Sequence, residues 1–192
     1  MTGSFNAEGG CGCKLIRYRM ESRPLFVHCC HCRWCQRESG ASFALNAMIE
    51  GNRVTILGSE PEVADTPSES GMGQKTVRCP KCRIAVWSNY AGSGPVIKFV
   101  RVGTLDNPDL LPPDVHIFTA SKQPWVVLPA GVPVCAEYYE RDAIWPPESK
   151  RPANTGLTPV CDRVVRSLAP TGAAATGRCP WPCVSAAGST HP

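Results

Sequence analysis

Short apolar segments separated by turn residues run through the first 150 residues of the chain. Most are rich in Val, Ile, Phe and Tyr and end at Gly, Pro, Asn or Ser, a pattern that indicates antiparallel β-strands. The eight predicted strands are Lys14–Met20, Leu25–Cys29, Phe43–Ile49, Arg53–Leu57, Lys75–Arg78, Ile84–Ser88, Val96–Val102 and Val115–Phe118. The 19 prolines oppose long helices, and the best helical candidate is Arg33–Ser39. We therefore expect a mainly β fold.

The composition of the chain changes after Lys150. Residues 151–192 are rich in Ala, Pro, Thr, Gly and Ser, and Asp162 is their only acidic residue. This composition predicts a disordered tail that follows a single domain over residues 1–150. The tail contains Cys161, Cys179 and Cys183, which have no partner pair, and we assign it no function.

The charge distribution excludes some classes of partner. The formal net charge is +4, but the 20 lysines and arginines form no run of five or six. This argues against a dedicated nucleic-acid-binding arm. No stretch approaches the roughly 18 uninterrupted apolar residues that a membrane-spanning helix requires, so we expect no membrane association.

Seven cysteines in three clusters are the strongest chemical signal in the chain. They are Cys11 and Cys13, then Cys30, Cys32 and Cys35, then Cys79 and Cys82. Thiolates are soft ligands that suit zinc, which prefers four ligands in a tetrahedron. The first and last clusters together supply four sulfurs, the ligand set of a closed structural site. The middle cluster supplies three and leaves a fourth position open, as catalytic zinc sites do.

Three further interpretations of the cysteines compete with zinc. A disulfide framework is disfavoured because Met1–Gly10 lacks the apolar core and the cationic flank of a secretory signal. We therefore expect the chain to stay in the reducing cytoplasm, where structural disulfides are rare. A redox dithiol at Cys79 and Cys82 would need a thioredoxin-like alternation of strands and helices, which the sequence lacks. Inert buried cysteine fits Cys135 better than it fits the clusters.

The residues around the cysteine clusters form an ordered set of motifs. They are Glu8-Gly9-Gly10-Cys11-Gly12-Cys13, Cys30-His31-Cys32 with Cys35-Gln36-Arg37 and Ser39-Gly40-Ala41, Cys79 with Cys82, His116-Ile117-Phe118, and Ser121-Lys122-Gln123-Pro124-Trp125. Together these motifs resemble the glutathione-dependent formaldehyde-activating enzyme and centromere protein V family. The resemblance extends over residues 4–149 and leaves out the tail.

The resemblance implies a β-tent fold of small antiparallel sheets and two zinc ions per chain. The implied ligands of the structural zinc are Cys11, Cys13, Cys79 and Cys82. The implied ligands of the second, catalytic zinc are Cys30, Cys32 and Cys35. In the family's named activity glutathione adds to formaldehyde and gives S-hydroxymethylglutathione. We therefore interpret the chain as a carbon–sulfur lyase-like enzyme that handles a glutathione adduct of formaldehyde or of another small electrophile.

Side chains next to the open site have two interpretations each. Arg33 and Arg37 are candidates to hold the carboxylates of glutathione, or they belong to a solvated face. His31 is an acid–base candidate, or it faces solvent, because the residue between two ligands usually points away from the metal. Trp34 would line a pocket beside the metal, or it caps a small core, which we favour.

Two features bear on the ligand set, and a second class of function stays open. Cys29 would shift the ligands by one residue, although the family pattern favours Cys30. Cys82-Arg83-Ile84 stands where family members commonly have Cys-Gly-Thr or Cys-Gly-Ser.

The alternative function is a zinc-stabilised binding module, or a glutathione carrier without turnover. Binding of nucleic acid would be expected to need a basic extension, and the tail has few basic residues, which favours the enzyme.

Overall fold

The computed structural model describes residues 5–91 and 93–145, and this part of the chain is mainly β, as predicted. The strands are β1 (Ala7–Gly10), β2 (Arg17–Met20), β3 (Phe26–Cys30), β4 (Ala44–Glu50), β5 (Val54–Ile56), β6 (Glu62–Thr66), β7 (Gln74–Arg78), β8 (Ala85–Tyr90), β9 (Ile97–Arg101) and β10 (Val115–Ile117). The helices are α1 (Arg33–Ser39) and α2 (Arg141–Ile144). Across the described ranges, neither helix has the length and apolar character needed to cross a bilayer. The predicted tail lies outside the described residues.

The strands form two sheets. The small sheet has the order β1, β2, β5, and the large sheet has the order β10, β3, β4, β9, β8, β7, β6. All neighbouring strands are antiparallel except β10, which pairs in parallel with β3. The antiparallel expectation is therefore wrong for this one pair. Strand β10 follows β9 through a long connection and pairs at the sheet edge with β3, far away in sequence. Turn residues in the sequence indicate only strands that pair across a short hairpin, so they could not indicate this parallel pair.

Strand β4 lies inside the large sheet and is buried on both faces. Ala47 and Ile49 belong to the core between the two sheets, which also contains Tyr18. Ala44 and Met48 belong to a second core on the opposite face, which the C-terminal end of the described chain covers. The four cysteines of the first and last clusters adjoin the first core, and the three of the middle cluster belong to the second. The large sheet thus separates the two groups of sulfurs.

Strands β1 and β6 do not follow the apolar pattern that predicts the other eight. Strand β1 contains Gly9, where a Cβ atom would lie 2.7 Å from the hydroxyl of Tyr18, so glycine is required by the close approach of the two strands. Strand β6 is an edge strand without a fully buried residue. Neither strand has the alternation of apolar and polar residues on which the prediction depends.

A buried carboxylate fixes helix α1 to the large sheet. The side chain of Glu38 is 6% exposed. It accepts hydrogen bonds from Arg78 at 2.7 Å and from Arg101 at 2.9 Å. Arg101 also donates to Asn46 Oδ1 at 2.6 Å. The helix that carries Cys35 is therefore connected by its last turn to strands β4, β7 and β9.

We expect Glu38→Ala to lower the free energy of unfolding by about 3 kcal/mol, because it leaves the guanidinium of Arg101 buried without its carboxylate. The control is Asp65→Ala, which breaks an ion pair with Lys75 in which both side chains are largely exposed. The control should change stability by less than about 1 kcal/mol. Denaturant unfolding of the zinc-loaded proteins measures both. Equal losses in the two variants would contradict the prediction.

Candidate metal centres and the adjoining cavity

Four cysteines meet where the loop after β1 approaches the loop between β7 and β8. The Sγ atoms of Cys11, Cys13, Cys79 and Cys82 lie within 4.8 Å of one another. Cys13 Sγ is 3.5 Å from Cys11 Sγ and 3.6 Å from Cys79 Sγ. A zinc tetrahedron with Zn–S bonds of about 2.3 Å has sulfur–sulfur edges of about 3.8 Å. The four side chains therefore fit zinc, and they fill its coordination shell.

Backbone N–H groups surround these sulfurs. Ile16 N donates to Cys11 Sγ at 3.3 Å, and Cys82 N donates to Cys79 Sγ at 3.5 Å. Hydrogen bonds from the backbone of Ile84, with a further contribution from Cys13, lower the pKa of the Cys82 thiol to about 6. Such bonds favour the thiolate, which is the form that binds metal.

The two loops share one unusual backbone position. Lys14 and Arg83 have φ angles of 62° and 63°, in the left-handed region that favours glycine. Each follows a ligand cysteine directly and donates its N–H to the carbonyl of the first cysteine in its loop. Arg83 stands where the resembled family commonly has glycine, so this departure places an arginine in a conformation that glycine adopts more easily. It does not prevent the four sulfurs from meeting.

Three further cysteines meet at the junction of β3 and α1. Cys30 ends β3, Cys32 is the N-cap of α1, and Cys35 lies in the first turn of the helix. Their Sγ atoms lie within 4.8 Å of one another, and each residue is at most 6% exposed. Cys35 N donates to Cys32 Sγ at 3.3 Å. The set fits a zinc ion with one coordination position left over.

Electrostatics favour a thiolate in this group. Hydrogen bonding by the Cys30 and Cys32 thiols, with the nearby charge of Arg101, lowers the pKa of Cys35 well below its usual range. The same sharing of protons raises the pKa of Cys30. Three buried thiolates would repel one another, and a bound dication removes that repulsion.

A cavity of about 40 Å³ adjoins the three sulfurs. It has room for about three water molecules or a one-carbon group. Two residues of its lining carry buried polar atoms without a hydrogen-bond partner, the indole N–H of Trp34 and the hydroxyl of Tyr138. Burial raises the pKa of Tyr138, so its hydroxyl keeps the proton and can donate it. Trp34 both lines the cavity and packs against the core, so its two interpretations are not exclusive.

The turn between β6 and β7 also reaches this cavity and contributes Glu69 and Ser70 to its lining. Glu69 is exposed, and its carboxylate accepts a hydrogen bond from the backbone N–H of Trp34 at 3.3 Å. Sequence reasoning missed Glu69 and Tyr138. No motif marks either residue, because each reaches the site from a segment far from the cysteines in sequence.

His28, which lines the cavity, belongs to a buried hydrogen-bond network. Tyr139 accepts a hydrogen bond from Trp145 at 2.7 Å, and its hydroxyl oxygen lies within hydrogen-bond distance, 2.6 Å, of His28 Nε2. Burial lowers the pKa of His28 to about 3, so the ring is neutral. The bond between His28 and Tyr139 joins β3 to the segment that carries Tyr138.

A third group of potential ligands lies on the other face of β3. Cys29, His31 and His116 place their ligand atoms within 4.8 Å of one another, and all three are buried. His31 therefore does not face solvent, so that interpretation is wrong, and it also points away from the three-cysteine group. Cys29 belongs to this group, and Cys30 joins Cys32 and Cys35 as the family pattern indicates.

Arg33 and Arg37 are exposed on α1. They line a shallow depression that also includes Gln36, Gln123 and Trp125, and they do not contribute to the lining of the 40 Å³ cavity. The structure therefore places them near the three-cysteine loop but outside its cavity.

Two motif segments that are far apart in sequence, the one with Cys30 to Gln36 and the one that begins at Ser121, meet around the backbone carbonyl of His31. Gln36 donates to the carbonyl oxygen of His31 at 2.6 Å and to that of Ser121 at 2.9 Å. The hydroxyl of Ser121 donates to the same His31 carbonyl at 3.0 Å. These bonds fix the loop that carries Cys30 and Cys32 against the chain after β10.

A family model described as "Glutathione-dependent formaldehyde-activating enzyme" (GFA) matches residues 6–121, which is more than half of the chain. The chain belongs to the GFA family. No curated protein matches this GFA chain. Among solved structures, the crystal structure of a Rhodobacter sphaeroides protein, a structural genomics target, is similar to it with 20% sequence identity and a TM-score of 0.41. The match covers 55% of this chain and 96% of that one.

We expect Cys79→Ser and Cys32→Ser each to bind one zinc fewer than the wild type, with different effects on stability. Loss of the four-sulfur site should lower the melting temperature strongly, because closed zinc sites contribute directly to folding. Loss of the three-sulfur site should lower it less. Zinc per chain by mass spectrometry and thermal unfolding of the same samples test this. Unchanged zinc content in either variant would contradict the assignment.

We expect acid to destabilise the protein partly through His28. The unfolded ring takes up a proton near pH 6.5, whereas the folded ring does so only near pH 3. The unfolded state therefore binds more protons in this window, and the free energy of unfolding falls with decreasing pH by up to about 1.4 kcal/mol per pH unit. His28→Gln should show a shallower decline in denaturant unfolding between pH 7 and 5. Equal slopes would contradict this, since zinc loss is common to both proteins.

Proposed function

We propose that this GFA-family chain is a zinc-dependent, carbon–sulfur lyase-like enzyme. Its substrate would be the glutathione adduct of formaldehyde or of another small electrophile, and the reducing cytoplasm its compartment. The observation that carries the proposal is that the three sulfurs of Cys30, Cys32 and Cys35 adjoin a cavity with two unpartnered donors. The four-sulfur group fills a zinc coordination shell by itself, which supports a structural role there.

Zinc bound by the three cysteines would supply a position that favours a thiolate over a thiol. The proposed reaction forms one bond, breaks one π bond and moves one proton. The sulfur of glutathione forms a bond to the formaldehyde carbon, the C=O π bond breaks, and the thiol proton ends on the oxygen. The reverse reaction breaks the same carbon–sulfur bond. The chain's own residues must therefore hold one oxygen and move one proton.

Trp34 and Tyr138 are suited to hold the oxygen. Both are donors without a partner beside the three sulfurs. A negative charge develops on the aldehyde oxygen as sulfur attacks, and prepositioned donors stabilise such charge most effectively where water is excluded. An apolar side chain at either place would pack equally well but would leave the oxygen unpaired.

Glu69 is suited to move the proton. Glu69 belongs to the cavity lining, and its carboxylate would accept the thiol proton and return it to the oxygen of the product. The hydrogen bond from Trp34 N orients it at the first turn of α1. No other acidic side chain lines the cavity among the described residues.

The size of the cavity limits what reacts there. About 40 Å³ admits the reacting carbon and oxygen but excludes the body of a tripeptide. Glutathione would therefore present only its sulfur and lie outside along the surface. Arg33 and Arg37 are our candidates for its carboxylates, because both are exposed on the helix that begins at the three-cysteine loop.

The second candidate function is a glutathione carrier or a zinc-stabilised binding module without turnover. The same open position and the same arginines would bind the thiol in that case. The unpartnered donors in the cavity lining favour the enzyme, since a site that binds only a sulfur needs no donor for an oxygen.

The test is the rate of exchange between glutathione and S-hydroxymethylglutathione in the presence of formaldehyde, followed by exchange NMR against the uncatalysed background. We expect the wild type to accelerate exchange and Cys32→Ser to abolish the acceleration. Glu69→Gln should lower kcat about 100-fold through loss of proton transfer, and Tyr138→Phe about 10-fold through loss of one hydrogen bond.

The matched control is Glu60→Gln, an exposed glutamate outside the cavity lining, which should leave the rate unchanged. Glutathione binding without any acceleration by the zinc-loaded wild type would replace the enzyme with the carrier. Equal rates for Glu69→Gln and Glu60→Gln would remove Glu69 from the mechanism but leave the proposed activity.

A further inference from the structure

Cys29, His31 and His116 form a buried group that the proposed reaction does not use. We propose that this group is a third metal site, which binds a zinc-class dication through one thiolate and two imidazole nitrogens. The site is separate from both sulfur clusters, and its occupancy does not depend on the proposed function.

Strand pairing explains why the three residues meet. Cys29 pairs directly with His116 in the parallel register of β3 and β10, so their side chains point to the same face of the sheet. His31 follows two residues after Cys29, just beyond the end of β3, and returns to that face. Cys30 points to the opposite face, with its cross-strand neighbours Ala44 and Ile117 in the second core.

The distances fit a tetrahedral ion. Cys29 Sγ lies 3.6 Å from His31 Nε2, and His31 Nε2 lies 3.0 Å from His116 Nδ1. Bonds of about 2.3 Å to sulfur and about 2.05 Å to nitrogen give edges of about 3.6 Å between sulfur and nitrogen and about 3.3 Å between nitrogens. The four-sulfur group, a ligand set of known kind, agrees with its ideal edges equally closely.

A nucleophilic cysteine and a simple histidine pair both account for the group less well than a metal does. A nucleophilic Cys29 activated by histidine would have to meet a substrate, but the exposed fractions of Cys29, His31 and His116 are 2%, 0% and 5%. A hydrogen bond between the two neutral rings uses one nitrogen of each. Both that bond and the Cys29 thiol then compete for the single His31 Nε2 atom, which lies 3.0 Å from His116 Nδ1 and 3.6 Å from Cys29 Sγ. A metal ion uses all three ligand atoms at once.

Charge also favours a cation at this position. Zinc on three thiolates leaves the open site with a formal charge of −1, whereas a dication on one thiolate and two neutral rings has a charge of +1. The two sites lie back to back across one strand, because Cys29 and Cys30 are consecutive. Opposite charges at that separation attract in the buried interior. Binding releases the Cys29 proton to solvent.

The experiment uses the full chain with Cys161, Cys179 and Cys183 replaced by serine, so that cysteines outside the described residues contribute no metal. The protein is loaded with zinc, dialysed and analysed for zinc per chain. We expect three ions in this parent, and two after Cys29→Ser or His116→Gln. Cys135→Ser, a buried cysteine outside the three groups, is the matched control and should keep three.

A cobalt titration of the parent decides the question even if a variant does not fold. A third equivalent should add a visible d–d spectrum with weak sulfur charge transfer, because one thiolate replaces three or four. Saturation at two equivalents of cobalt and of zinc would overturn the proposal and leave a hydrogen-bonded histidine pair. The glutathione exchange assay is separate, since failure of that activity would leave this stoichiometry unchanged.

Discussion

Helix α1 and the three-cysteine group at its start depend on the two ion pairs of Glu38. Helix α1 has only seven residues and would be marginal by itself. Its last turn is held by Arg78 and Arg101, and its first turn presents Cys32 and Cys35. Hydrogen bonds from the Cys30 and Cys32 thiols, and to a lesser extent the charge of Arg101, lower the pKa of Cys35 and favour its thiolate. One buried carboxylate therefore positions the helix and also keeps in place a cation that tunes the sulfurs at the other end.

The large sheet keeps different kinds of chemistry apart. Its period of two sends Cys30 to one face and Cys29 to the other, and β10 repeats this alternation with His116 between two apolar residues. The sulfurs of Cys29 and Cys30 are thereby placed on opposite faces of the sheet, in different groups of potential ligands. The four-sulfur group adjoins the core between the sheets, on the opposite side of the large sheet from the 40 Å³ cavity.

Local signals in the sequence account for the cysteine clusters, the bounds of α1 and most strands, because each depends on neighbours within a few residues. The spacing of Cys30, Cys32 and Cys35 needs only a strand end followed by a helix start. The parallel pairing of β10 and the approach of Glu69 and Tyr138 to the cavity depend on contacts between distant segments, and no periodicity encodes them. Cys29 was visible only as a competitor of Cys30, because its partner His116 is assigned by strand register.

Lys14 and Arg83, the residues with positive φ in the two loops of the four-sulfur group, affect the charge around that group. A dication held by four thiolates has a formal charge of −2, and Lys14 and Arg83 each follow one of its ligands directly. The loops thus adopt a backbone angle that favours glycine and place two cationic residues next to ligand cysteines in sequence, of which Arg83 also forms an ion pair with Glu62. Screening by salt weakens such attractions but leaves backbone strain unchanged. If a dication occupies this group, its retention would therefore depend on ionic strength through Lys14, because glycine at that position would carry no charge.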